Sequence, residues 1–136
     1  MKAPMLTVDV IIRLSGERII LIRRGRSPYR GSWAIPGGFV EYGETVEDAA
    51  RREALEETGL DVEIEDLLGV YSDPERDPRG HTVSVCFTAR AASGEPEAGS
   101  DAADVGIFHI DDIDDLELAF DHRKILEDFR RHLLGE

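Results

Sequence analysis

Cysteine is nearly absent from this 136-residue chain. Cys86 stands alone, so no internal disulfide can form and a cage of cysteine ligands is excluded. It sits in the apolar alternation Val83-Ser84-Val85-Cys86-Phe87, where a buried, inert thiol is expected. The four histidines, 81, 109, 122 and 132, are scattered without zinc-motif spacing, which argues against zinc. No apolar run approaches the roughly 20 residues that cross a bilayer. The start, Met1-Lys2-Ala3-Pro4, lacks the apolar segment and cleavage site of a secretory leader, so a cytoplasmic location is the expectation. Lysine is limited to Lys2 and Lys124, and 29 acidic residues face 16 basic ones, a net charge of −13. Such a surface repels nucleic-acid backbones and anionic membranes, so neither is an expected partner. It suits either a high-salt habitat or a GC-rich genome that favours arginine; stability insensitive to salt would remove the first.

What is present, 41% hydrophobic and 33% charged residues, reads as a single globular domain over residues 1–136. Leu6 to Leu14 alternates around Val8, Val10 and Ile12, and Ile19 to Ile22 is a second apolar run beyond Ser15-Gly16-Glu17, which together predict a hairpin. A short strand is expected at Trp33-Ala34-Ile35, with Tyr29 to Ser32 and Pro36-Gly37-Gly38 as loop around it. Strands are predicted at Val62 to Tyr71, Thr82 to Ala91 and Val105 to Ile110. Ser72 to Gly80 is read as a loop and Gly94-Glu95-Pro96 as a turn. A second helix is expected within Phe120 to Leu134. Strands interleaved with two helices imply a mixed sheet covered on both faces, an α+β fold.

The most informative segment is a helix from Val46 to Thr58, with Thr45 as N-cap, Asp48 three residues on, and Gly59 as the left-handed stop. At 100° per residue, Val46, Ala49, Ala50, Glu53 and Glu57 share one face, with Glu56 beside them. The face begins small and apolar and turns to carboxylate, so these glutamates are expected in a cleft rather than in bulk water. Like charges at i,i+3 and i,i+4 each cost roughly 0.2–0.5 kcal/mol, and the helix dipole disfavours anions at this end. Glu47 with Arg51 and Asp48 with Arg52 are the expected relieving pairs of the first half. A bound hard cation, Mg²⁺ or Mn²⁺, would relieve the second.

As a pattern, Gly38-x5-Glu44-x7-Arg52-Glu53-Ala54-x-Glu56-Glu57-x-Gly59-Leu60 resembles the complete Nudix box. A chance match is on the order of 10⁻⁸ per window at ordinary residue usage. Trp33-x-x-Pro36-Gly37-Gly38 and the flanking strand pattern are similar to the family as well. The resemblance implies a Nudix-type α/β/α sandwich with a mixed β-sheet and metal-dependent cleavage of a nucleoside-diphosphate compound. It implies metal ligation by the Gly37 carbonyl and by Glu53, Glu56 and Glu57. Arg52 would orient the glutamates, and Glu44 would support the metals or their waters. A further acid from a later loop is implied, with Asp101 first and Asp104 and Glu97 behind it. The water's proton would go to Glu56 or to that later acid.

Leu68 to His81, with Pro74 and Pro78, resembles the matching loop of archaeal and bacterial ADP-ribose pyrophosphatases. This implies hydrolysis of ADP-ribose to AMP and ribose 5-phosphate. Alternatives are another Nudix activity, on nucleoside triphosphates, dinucleotide polyphosphates or NADH, or a non-catalytic ligand-sensing Nudix module. The intact box speaks against the sensor, and with Glu136 the last residue no DNA-binding domain is expected. Arg76, Arg79 and His81 on the stiffened loop suit phosphate or ribose oxygens, or are plain turn chemistry. Arg24 and Glu41 are further pocket candidates. Tyr29, Trp33, Tyr71 and Phe120 could stack an adenine, although Trp33 is read as core. A homodimer is expected, with Leu116, Leu118 and Phe120 either an exposed patch or packed inward.

Overall fold

Period-two alternation builds the sheet. In the computed structural model, which describes residues 2–91 and 95–135, Met5–Leu14 forms strand β1. Its Val8, Val10 and Ile12 bury into one core, while Ile11 enters the core on the opposite face. β2 (Arg18–Arg24) returns antiparallel, with Ile12 opposite Ile20, and Gly16 takes the positive φ of 75° that the intervening turn requires. β5 (Val62–Tyr71) and β6 (Thr82–Ala91) form an antiparallel pair, and β6 lies parallel to β1 from Met5↔Thr82 to Arg13↔Arg90. β7 (Ala102–His109) covers the other edge of β2.

Two short strands complete the seven-stranded mixed sheet. β3 (Trp33–Ala34) pairs with β2 and β4 (Gly37–Phe39) pairs with β1. Between Ala34 and Gly37 the chain therefore changes sheet neighbour. β4 corrects the expectation of a loop at Pro36-Gly37-Gly38. Gly37 lies so close to β1 that a Cβ would stand 2.1 Å from the Val8 carbonyl oxygen, and only glycine fits.

Helix α1 (Val46–Thr58) lies on one face through Ala49, Ala50 and Ala54, all fully buried, whose small side chains let it approach β1 closely. Helix α2 (His122–Leu133) covers the other through Ile125, Leu126 and Phe129. This is the expected α/β/α sandwich. The last strand begins at Ala102, earlier than expected, and Ile110 opens a short 3-10 helix (Ile110–Asp115) that periodicity did not reveal. Leu116 and Leu118 pack inward, so they form no exposed patch. Gly94 of the expected turn lies outside the described residues. Among the described residues no helix is long and apolar enough to cross a membrane.

Candidate active site

The ends of α1 are set locally. Thr45 Oγ1 accepts the Asp48 N–H at 3.1 Å, and Gly59, at φ 74°, donates its N–H to the Leu55 carbonyl at 2.9 Å. The loop after β6 folds back over this end: Glu97 N–H bonds the Thr58 carbonyl at 2.8 Å and Gly99 N–H the Glu57 carbonyl at 3.2 Å. These groups satisfy carbonyls that the helix leaves unpaired. A Cβ on Gly99 would lie 2.4 Å from the Glu56 carbonyl oxygen, a requirement that turn composition alone did not signal.

With α1 pinned at both ends, its carboxylate stripe faces the paired glycines of β4. Gly37 N–H donates to Glu57 Oε1 at 2.8 Å, and the Gly38 Cα lies directly against the Glu53 carboxylate. Glu57 is only 8% exposed. Burial, followed by the charges of Glu53 and Asp9, lifts its carboxyl to about 8 despite the Gly37 bond and the more distant Arg24. Burial raises Glu53 as well, against the pull of Arg52. Glu56 is the open member of the three.

Arg52 joins this stripe to the preceding loop. Its Nε and Nη2 reach both Glu44 oxygens at 2.7 and 3.0 Å, and its Nη1 reaches Glu53 at 2.8 Å and Glu56 at 3.2 Å. The Arg52 bonds hold the Glu44 carboxyl down to about 2, and the same pairing raises the guanidinium. The expected Asp48–Arg52 pair does not form, because Asp48 binds Arg51 at 3.0 Å. Glu41 stands on the exposed lip, 3.9 Å from Arg52.

A cleft of about 340 Å³ opens over these groups, with Arg24, Phe39, Arg79 and Asp101 on its other walls. Asp101 pairs with Arg26, both exposed. Asp104, within β7, turns back to accept the Val105 N–H and lies outside the cleft lining. Arg24 and Arg79 both lie over the Phe120 ring, at 5.0 and 5.5 Å, and Arg79 is also 5.2 Å from the Phe39 ring. Two cations thus gather on an aromatic wall facing Glu57. Buried Asp77 grips the Arg79 guanidinium at 2.9 and 3.1 Å; its carboxyl, although penalised by burial, is held low by those bonds.

Four of the candidate contacts sit elsewhere. Arg76 is buried in a two-pronged ion pair with Asp121 at 2.8 and 2.9 Å and also bonds Thr82, so its donors serve the frame. His81 Nε2 lies 2.9 Å from the Ser72 carbonyl, outside the cleft. Tyr71 packs on the α2 face with its hydroxyl on Asp128, and Trp33 stacks edge-on against Phe108 in the core. Tyr29 and Phe120, whose centroids are 4.8 Å apart, remain beside the pocket. Truncation to alanine should separate the two arginines. Arg76→Ala leaves Asp121 and its neighbours with unpaired buried charge and should lower Tm by roughly 10 °C, since breaking a buried pair costs about 3 kcal/mol or more. Arg79→Ala also strips buried Asp77 of its guanidinium, but Asp77 keeps the residue-79 backbone N–H at 2.9 Å, so the Tm loss should be the smaller of the two, a contrast that thermal denaturation reads directly.

Among the described residues no three Asp, Glu, His or Cys side chains converge tightly enough in this geometry to hold a metal ion. The chemistry of the site nevertheless fits a hard divalent cation. Glu57 is buried and Glu53 part-buried beside it, Glu57 has one N–H bond, and no basic side chain pairs with it within 4 Å among the described residues. Because Gly38 abuts Glu53, Gly38→Ala places a Cβ 2.6 Å from that carboxyl carbon and must push the carboxylate aside. Metal affinity should fall at least tenfold with the fold intact, measurable by Mn²⁺ titration; unchanged affinity would detach Glu53 from the site.

Comparison with known proteins agrees with this geometry. The family model for the NUDIX domain matches residues 3–129. An ADP-ribose pyrophosphatase of Methanocaldococcus jannaschii is 48% identical over 94% of this chain and 74% of its own length. The ADPR responsive transcriptional repressor NtrR of Acinetobacter baylyi is 31% identical over 92% of this chain, which spans about half (52%) of that protein. Among solved structures, the NUDIX domain of Shewanella oneidensis NrtR complexed with ADP ribose superposes with a TM-score of 0.85. It is 30% identical, over 98% of this chain and 90% of that one. Nudix proteins generally use divalent metal ions. With a matching model over nearly the whole chain and the complete box folded against the paired glycines, this protein belongs to the NUDIX domain family.

Proposed function

We propose that this chain hydrolyses ADP-ribose to AMP and ribose 5-phosphate in a divalent-metal-dependent reaction, in the cytoplasm. The observation that carries the reading is the Glu53–Glu57 carboxylate pair set against the Gly37-Gly38 backbone, with the Arg24–Phe120–Arg79 wall opposite. One side of the cleft is short of positive charge and the other is rich in it, which suits a diphosphate bridged between cation and arginines. The 48% identity to an ADP-ribose pyrophosphatase supports the choice of substrate.

The residues that would hold the cation are Glu53, Glu56 and Glu57 with the Gly37 carbonyl. Oxygen-only donors favour Mg²⁺, with Mn²⁺ as a substitute. When bound, the cation neutralises phosphate charge and lowers the pKa of a water. Arg24 and Arg79 orient the phosphates, and Phe120 with Tyr29 offers the nucleoside a stacking wall. Water adds to one phosphorus, the bridging oxygen departs with the other phosphate, and Glu56, the carboxylate open to solvent, takes the water's proton. Arg52 and Glu44 hold that carboxylate row in register. Asp101, on the far wall, is the candidate further acid.

The relation to an ADPR responsive repressor favours one second reading, a domain that binds ADP-ribose without cleaving it. Product analysis with Mg²⁺ over ADP-ribose, 8-oxo-dGTP, diadenosine polyphosphates and NADH separates them. Preference for ADP-ribose by tenfold or more is expected; tight binding without turnover would select the sensor. A homodimer is part of the proposal, and with Leu116 and Leu118 packed inward its interface must use other surface. Light scattering reads the mass.

A further inference from the structure

The segment Ile35 to Val40 presents two edges, and they are used differently. Val10 N–H bonds the Pro36 carbonyl at 2.8 Å and Val40 N–H the Leu6 carbonyl at 3.0 Å, while Gly38 pairs opposite Val8. Residues 36, 38 and 40 therefore face β1. In an extended strand the N–H and C=O of one residue leave from the same edge, so residues 35, 37 and 39 turn theirs the other way. Each of these outward residues is met by a side chain from a helix. Glu57 accepts the Gly37 N–H, Arg52 donates to the Phe39 carbonyl at 3.1 Å, and His122 Nδ1 accepts the Ile35 N–H at 3.0 Å. Two of the three belong to the candidate site. The third, from the first turn of α2 on the far face of the sheet, has no assigned role.

We propose that His122 is a positioning residue for the cleavage, fixing the backbone between β3 and β4, where the chain leaves the edge of β2 for that of β1, so that Gly37 presents its outward edge to Glu57 and to a cation held there. The proposal rests on the reading of Gly37 and the glutamates as the metal platform. The position is one at which sheet pairing cannot do the work: Pro36 has no N–H, and Ile35 is buried with its N–H turned away from both neighbouring strands.

The histidine is itself held from behind. A backbone N–H can only donate, so Nδ1 carries no proton and the imidazole is neutral with its hydrogen on Nε2. Nε2 points at Asp9 Oδ1, 3.5 Å away, and the other Asp9 oxygen accepts the Ser84 hydroxyl at 2.5 Å. Asp121, the residue before His122, is clamped by Arg76, which also lies 3.8 Å from Asp9. Asp9 thus interrupts the apolar run of β1, and Arg76 anchors the N-terminus of α2, for one shared purpose. A chain of buried polar contacts runs from Arg76 through Asp9 and His122 to the backbone two residues before Gly37. Misplacement by 1 Å far from the reacting atoms can lower rates 100-fold, which makes such support consequential.

The test compares His122→Asn, whose amide oxygen keeps an acceptor near the Nδ1 position, with His122→Phe, which fills the space without one. Mn²⁺ affinity is measured by electron paramagnetic resonance on substrate-free protein, and ADP-ribose turnover in parallel. His122→Phe should weaken Mn²⁺ binding tenfold or more and lower kcat tenfold or more, with KM changed less than threefold. His122→Asn should stay within threefold of wild type in all three. If His122→Phe does not fold, His122→Gln, whose amide reaches past Nδ1, takes its place. Nitrogen-15 NMR of the wild type gives a variant-free check, an unprotonated Nδ1 and a protonated Nε2. The inference falls if the variant lacking the acceptor behaves like wild type, if His122→Asn is as impaired as it, or if Nδ1 carries the proton. Wild-type protein that neither binds Mn²⁺ nor cleaves ADP-ribose would instead remove the functional reading, and this inference with it.

Discussion

Glu57→Gln should sharply reduce turnover and, in metal-free protein at alkaline pH, raise thermal stability above that of wild type. The two effects share one cause. Glu57 is nearly buried, and its carboxyl is lifted to about 8, first by burial and then by Glu53 and Asp9. Below the ordinary carboxylate range, near pH 4.5, folded and unfolded chains both carry the proton and folding bears no penalty. Between there and about pH 8 the unfolded chain ionises while the folded one retains its proton, so stability falls as pH rises and the full penalty is present above 8. Glutamine is isosteric with the protonated acid and can still accept the Gly37 N–H, so it escapes that penalty. The Tm difference between variant and wild type should be near zero at pH 4.5, open through neutrality and persist at pH 8.5. A saturating divalent cation should close it by stabilising the ionised wild-type carboxylate alone. Turnover should fall on the order of a thousandfold, as expected when a ligand supporting transition-state charge is lost. A Tm difference equal at pH 4.5 and 8.5, or a variant of near-normal activity, would contradict the placement of Glu57 at the centre of the site. A site that destabilises its own empty fold is the usual trade of stability against function.

How much of this was legible beforehand follows the range of the interactions. Helix α1 was readable to the residue because Thr45, Asp48 and Gly59 act within a few positions of one another, and β5 and β6 were readable from alternation and flanking turns. The carboxylate stripe followed from the helical period. β4 was not legible, because Pro36-Gly37-Gly38 has turn composition and becomes a strand only when β1 lies beside it. The expected Asp48–Arg52 pair fails for a similar reason: on a helix surface Asp48 is a natural partner for Arg52, but Glu44 in the preceding loop competes with better geometry. Arg76 looked like a ligand contact, and nothing local shows that Asp121 waits 45 residues further on. Asp9 did leave a trace, a lone charge inside an apolar alternation. Its partners Ser84 and His122 are visible only in three dimensions.

Arg52 carries the second large expectation. Its planar fork serves Glu44 through two bonds, Glu53 and Glu56 through Nη1, and the Phe39 carbonyl through Nη2, so one group fixes three carboxylates and β4 together. A lysine ammonium has the charge but cannot span this set from one point. Arg52→Lys should therefore lower turnover on the order of 10–100-fold, the range typical of groups that orient metal ligands, and Arg52→Gln further still. Removal of Glu44 in an Arg52→Lys background should add little, because both act through the same pair; a multiplicative loss would mean that Glu44 works independently. The acid range supplies a second reading of the same contact. Glu44, held down to about 2 by Arg52, contributes stability present above its ordinary value and lost as pH falls toward 2. In Arg52→Gln that partner is gone and only the Glu41 N–H still holds the Glu44 carboxyl down, so Glu44 should move back toward its ordinary range and the extra slope of stability between pH 4.5 and 2 should shrink in the denaturation profile. Persistence of the slope together with wild-type turnover in Arg52→Lys would show the carboxylate row to be ordered by α1 itself and not by the arginine.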